Sequence, residues 1–200
     1  MTMFVILFFG LVASSCKEKS KSEPSIDGPR YKIGVCDWMI LKRQKIGAFE
    51  LTGELGADGV EIDMGGLGNR ELFDNKLRDS VFVELFKDEA EKHGVEISSI
   101  AMSAFYAQSF AERENYKELV ADCIQTMKKM EVKVAFLPLG VQGDLNKRPE
   151  IRPELVRRLK IVGDMAEQAG VVIGIETALD AASEIILLEE IGSPAIKIYY

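Results

Sequence analysis

From Lys32 onward the chain alternates two patterns of apolar and polar positions. One is a short β-branched run, seen in KIGVCDW (32–38), DGVEIDM (58–64), VEISSIAM (95–102), VKVAFLPL (132–139), VVIGIET (171–177) and AIKIYY (195–200). The other is a stretch with apolar residues three or four apart, clearest in Tyr116, Leu119, Val120, Cys123, Ile124, Met127 and Met130. That spacing gathers one face of a helix. Pro153 suits the first turn of the next helix and Gly170 its C-terminal cap. Strands alternating with helices predict βαβ units and a parallel sheet, so the fold class is α/β. The spacing of the runs suits a (β/α)8 TIM barrel, whose eight units need about 250 residues. Six units fit between Tyr31 and Tyr200, and an open doubly wound sheet is the other architecture six strands allow. The last run ends the chain inside an apolar strand, which leads us to expect a C-terminally truncated barrel over 31–200.

The first 30 residues follow neither pattern. Met3–Ala13 is an unbroken apolar run, shorter than the roughly 20 residues that span a bilayer and of the length of a signal-peptide core. Ala13, Ser14 and Ser15 lead to Cys16, an order that resembles a bacterial lipoprotein box, in which the Cys is lipidated. Residues 1–15 are therefore expected to be a lipoprotein-type signal peptide. Residues 16–30, polar and without large apolar side chains apart from Ile26, are expected to be a flexible tether. The implied location is exported and membrane-tethered through a lipid on Cys16.

Charge narrows the partners. With 32 acidic against 25 basic side chains the net charge is −7, the wrong sign for neutralising nucleic-acid phosphates. A single His in 200 residues excludes a multi-histidine metal centre within the chain, so metal chemistry must lean on carboxylates. Cys36 falls in a strand run and Cys123 on a helix's apolar face. Two buried free thiols are expected there rather than a disulfide.

In parallel α/β folds functional groups gather at the C-terminal ends of strands. The first run ends in Asp37 and Trp38, the chain's single Trp. The second places Glu61 and Asp63 on one side of a strand, where a carboxylate is costly unless it is used or paired. The fourth leads to Gln142 and Asp144, and the fifth ends in Glu176 and Thr177. Trp38, Glu61, Asp63 and Gln142 are the substrate-binding candidates. Gly65, Gly66 and Gly68 offer backbone amides to an anion but match no phosphate-loop pattern. A turn is the plainer reading. His93 precedes the third run, at the end of the fold opposite the expected site.

GADGVEI (56–62), KHGVEI (92–97), QAGVVIGIET (168–177) and PAIKIYY (194–200), in this order and spacing, resemble the xylose-isomerase-like TIM barrels. These include sugar isomerases and epimerases and a class of apurinic endonucleases. The resemblance implies a small-molecule sugar substrate and a divalent metal, Mn, Mg or Co, held by carboxylates and a His. It places the strand-five Glu on Glu176, as metal ligand and catalytic base. It also implies proton transfer alpha to a carbonyl through an enediolate, in which a metal stabilises the charge and a carboxylate takes the proton. Of the residues after that Glu, Asp180 alone could serve as a further substrate-binding acid. The nuclease branch uses His ligands at the ends of strands two and three, where this chain has Asp63 and Ser103. A non-catalytic carbohydrate-binding barrel is the alternative from another class.

Overall fold

A computed structural model describes residues 31–200. The expectations for the signal peptide, Cys16 and the tether fall on residues 1–30, outside the described residues. Six strands, β1 (Gly34–Cys36), β2 (Gly59–Asp63), β3 (Glu96–Ala101), β4 (Val134–Pro138), β5 (Val172–Glu176) and β6 (Ile196–Ile198), lie in sequence order in one sheet. Every neighbouring pair is parallel. Between them run α1 (Gly47–Glu54), α2 (Ser80–His93), α3 (Tyr116–Met130), α4 (Arg152–Ala169) and α5 (Ala181–Ile191). This is the expected partial (β/α)8 barrel. An open doubly wound sheet would reverse its strand order at some point, and this one never does.

The period of two along each strand divides the side chains into layers. Val60, Ile62, Ile100, Ala135, Leu137, Ile173 and Ile175 are buried and join the core built with the helices. That core takes the apolar helix stripes, including Phe49, Phe86, Leu119, Cys123, Met127, Leu159 and Val162. The alternate set, Cys36, Glu61, Ser99, Phe136, Gly174 and, after β6, Tyr199, meets on the other side of the sheet, the barrel lumen. Helix ends follow the sequence signals. Pro153 lies in the first turn of α4, and Gly170 caps it in a left-handed conformation at φ 66°. His93 ends α2 and contacts Glu89 one turn earlier, a helix-end role.

Both described cysteines are free. Cys36 donates to Glu61 Oε1 at 3.3 Å, and burial followed by the charge of Glu61 pushes its thiol up to about 12. Cys123 is fully buried, and burial raises its pKa as well. Burial therefore keeps both groups in the thiol form at pH 8, and the thiolate is the reactive form. In folded protein neither thiol is expected to react with iodoacetamide on the timescale of a urea-unfolded control, which mass mapping of the two cysteines checks.

Candidate active site

The rim at the C-terminal ends of the strands is organised by two buried carboxylates. Asp37 directly follows β1, and Asp63 is the last residue of β2; both are fully buried. Asp37 accepts from the Gln44 N–H at 2.8 Å and the Asp63 N–H at 3.2 Å. Asp63 accepts from the Gly65 N–H at 2.8 Å and the Ser103 N–H at 3.2 Å, and pairs with Arg43 Nε at 3.1 Å. Asp63 therefore reaches the rim through Arg43, a residue that the sequence reading did not single out. The signal was visible as LKRQK (41–45), but a charge run on a loop is usually a solvated surface.

Burial pushes Asp37 up to about 7, and the nearby Asp63 adds to this; the Gln44 and Asp63 N–H groups and Arg43 oppose it. The pKa of Asp63 is also raised, chiefly by burial. Folded protein thus holds a proton that the unfolded chain releases above about pH 4. The stabilisation is complete below that pH and is lost as pH rises through about 7. Glu112 and Glu154, lowered to about 2 mainly by Arg148 and Arg157 respectively, act in the opposite sense, but only below about pH 4.5. The unfolding free energy from urea melts is expected to fall between about pH 5 and 7, by up to about 1.4 kcal/mol per pH unit for each proton held. Asp37→Asn is expected to flatten that slope. A slope unchanged in the variant places the proton elsewhere.

Glu61 sits one pleat below Asp63, also buried, with no ion-pair partner among the described residues. A register shift between Val60 and Glu61 sets Ser99 opposite it, and Ser99 Oγ and Tyr199 Oη each donate to its Oε2 at 2.7 Å. The Tyr199 ring passes over Gly174, where a Cβ would lie 2.6 Å from Tyr199 Cδ2. Glu61 and Ser99 line a hollow of about 420 Å³ with Cys36, Gly34, Val134 and Tyr199. A larger hollow of about 680 Å³, among Glu71, Glu112, Arg113 and Glu118, holds none of the candidate residues.

Glu176 ends β5, level with Pro138 of β4, and is half-buried. Tyr106 Oη donates to its Oε2 at 2.6 Å, and burial and this carboxylate raise the phenol's pKa. Among the described residues nothing donates to Glu176 Oε1. Tyr106 closes the short 3₁₀ turn Ser103–Tyr106, and its ring lies against Phe136. Trp38 stacks on the same Phe136, with centroids 6.2 Å apart and ring planes 14° from parallel. The rim thus joins Trp38, Phe136, Tyr106 and Glu176 in one chain of contacts. Gln142 is exposed, and its carbonyl accepts from Arg148 at 3.2 Å. Asp144 is buried and folds the loop after β4, accepting from the Asn146 N–H at 2.9 Å. Asp180, at the start of α5, caps that helix through the Ser183 N–H at 2.8 Å, which is its role in the structure. Among the described residues no group of three or more His, Cys, Asp or Glu could hold a metal ion.

Residues 49–200 match the family model described as Xylose isomerase-like TIM barrel. The chain belongs to this family. A curated relative, the 2-epi-5-epi-valiolone 7-phosphate 2-epimerase of Actinoplanes sp., is 23% identical over 84% of this chain and 60% of its own. The chain therefore spans about 60% of that relative's length. Among solved members of the xylose isomerase-like fold, the 3-keto-D-glucoside 4-epimerase of E. coli superimposes with a TM-score of 0.62 at 16% identity, over 84% of this chain and 67% of that one. A xylose isomerase domain protein from Planctomyces limnophilus gives 0.60 at 16%, over 85% and 63%. A family protein from Mycobacterium smegmatis, solved in complex with magnesium, gives 0.56 at 16%, over 76% and 54%.

Proposed function

We propose that the full-length protein is a sugar isomerase or epimerase that moves a proton on the carbon alpha to a carbonyl, with Glu176 as the base. The observation that carries this reading is the half-buried Glu176 at the end of β5, fixed through one oxygen by Tyr106 while the other has no donor among the described residues. A carboxylate so held can take a proton from a carbon and return it. Trp38 supplies a ring at the same rim for the apolar face of a sugar, and Gln142 and the carboxylates Glu61 and Asp63 complete the proposed substrate-binding set. The epimerase activities named for the Actinoplanes and E. coli relatives support the reaction class.

Dependence on a divalent metal, Mn, Mg or Co, with Glu176 as one ligand, belongs to the same proposal and is supported by the magnesium complex of the M. smegmatis relative. The described residues do not by themselves fit a metal, so the proton step above runs through Glu176 alone. Export and lipidation of Cys16 are likewise proposed, on the apolar run and the small residues before that Cys.

The test is deuterium wash-in. Full-length protein is incubated in D₂O with D-fructose or D-psicose, with and without Mn²⁺, and the carbons beside the carbonyl are followed by NMR. Exchange is expected. A non-catalytic binding barrel would instead give ketose binding with no exchange.

A further inference from the structure

The connection from β1 to α1 reverses the sign of the chain's charge. Lys42, Arg43 and Lys45 fall within four residues, and no acidic side chain occurs from Trp38 to Phe49, in a protein of net charge −7. The loop is folded tightly. Leu41 and Gln44 adopt left-handed backbone at φ 58° and 47°, conformations that are strained for non-glycine residues and persist only where the surroundings impose them. Here Asp37 imposes them, by accepting from the Gln44 N–H through its carboxylate and from the Lys42 N–H, at 2.7 Å, through its carbonyl. The Gln44 side chain donates to the Asp63 carbonyl at 2.7 Å and accepts from the Lys76 N–H at 2.9 Å. Lys76 Nζ donates back to the Gln44 carbonyl at 3.2 Å, so a fourth cation joins the loop.

Arg43 is the best-held of the four. Its Nε pairs with buried Asp63, its Nη2 donates to Ser103 Oγ at 3.3 Å, and its side chain is 46% exposed. Its Nη1 has no acceptor among the described residues. Of the four cations, Arg43 alone is paired with a carboxylate among the described residues, and Lys76 is bound to a backbone carbonyl. A guanidinium fixed on one edge and open on the other presents parallel N–H donors to a phosphate or carboxylate. Ser103, which Arg43 touches, and Tyr106, which holds Glu176, are the two ends of one 3₁₀ turn, about 6 Å apart along its axis.

We propose that this loop, with Arg43 at its centre, Lys42 and Lys45 flanking it in sequence and Lys76 bound to its backbone, is the subsite for an anionic group on the substrate, a phosphate ester or a carboxylate, whose ketose carbons lie toward Glu176. The proposal rests on the reading of Glu176 as the proton-transfer base and adds the substrate class to it. Its cations also steer anions toward the rim, an effect that salt suppresses.

Trp38, the chain's single Trp, stands in the same loop and reports on it by fluorescence. The experiment titrates full-length protein with D-fructose, D-fructose 6-phosphate and D-fructuronate, at low salt and at about 0.5 M NaCl. The anionic ketoses are expected to bind at least about tenfold more tightly than D-fructose at low salt, and a preference between them identifies the group as phosphate or carboxylate. The double variant Lys42→Gln/Lys45→Gln, which leaves the partners of both buried carboxylates in place, is expected to lose most of that advantage. Arg43→Lys, which keeps the charge but loses the fork, is expected to lose part of it. Equal affinity for all three sugars, or an advantage unaltered in both variants, overturns the proposal. Deuterium exchange into D-fructose separates this from the reading beneath it. Exchange without an anionic advantage removes the subsite alone, whereas an anionic advantage without exchange into any of the three sugars removes the proton-transfer reading and leaves an anion-binding loop.

Discussion

Glu176→Gln is expected to lower deuterium wash-in at the carbon beside the ketose carbonyl by at least about a hundredfold, the usual contribution of a positioned general base, while the fold survives. The amide keeps the size of the side chain and an oxygen to accept from Tyr106, but its remaining group is a poor proton acceptor. Stability should hardly move, because Glu176 is half-buried and has no ion pair among the described residues whose loss would strand a buried charge. Melting temperatures of the two proteins are therefore expected to agree within about 2 °C, the shift that a few tenths of a kcal/mol produces. Tyr106→Phe should reduce exchange less, since it removes the group that orients the proposed base and leaves that carboxylate itself. Wild-type exchange rates in Glu176→Gln would place the base elsewhere and end the assignment.

Gly65→Ala is expected to melt about 5–15 °C below wild type, the largest loss expected of a single added methyl group in the rim. The Cβ would lie 2.3 Å from the Asp74 carbonyl oxygen and 2.8 Å from its carbon, and the backbone stands at φ 88°. Both obstacles are backbone, and the neighbouring strand of the loop is tied down by the Asp74 N–H donating to the Gly66 carbonyl at 2.9 Å. Left-handed strain of about 1–2 kcal/mol and overpacking of about 1–3 kcal/mol add to roughly 2–5 kcal/mol, about 2–4 °C for each kcal/mol in a domain of this size. The damage reaches the site, because the Gly65 N–H is one of the donors that hold Asp63. Gly66→Ala is the control. Its Cβ would meet nothing within 4 Å, so its stability should stay within about 0.5 kcal/mol of wild type. Equal melts for Gly65→Ala and wild type would show that the loop does not hold this close approach in solution.

Asp63 shows where sequence reasoning reached its limit. Its place at the end of a strand, on the side shared with Glu61, followed from the alternation of DGVEIDM. That it is paired with Arg43 from the preceding loop did not. Asp180 and Asp144 were visible as acids in loops, and only the helix start and the turn that each one folds show what they bind.

What the sequence by itself determined is the set of local features. Apolar residues at two-residue and 3.6-residue spacing made the strands and helices, Pro153 and Gly170 bounded α4, and the order of runs gave an α/β barrel with Glu176 at the mouth of its fifth strand. Only the tertiary structure decided the partners, because these come from the register between strands and from loops that meet across the rim. Tyr199 reaches Glu61 across 138 positions of chain, Tyr106 reaches Glu176 across 70, and a register shift in β2 and β3 brings Ser99 level with Glu61. Periodicity fixes which face of its own element a residue occupies. It carries no information about which residue of another strand stands opposite, since a one-residue change of register leaves each strand's own pattern intact and exchanges every neighbour.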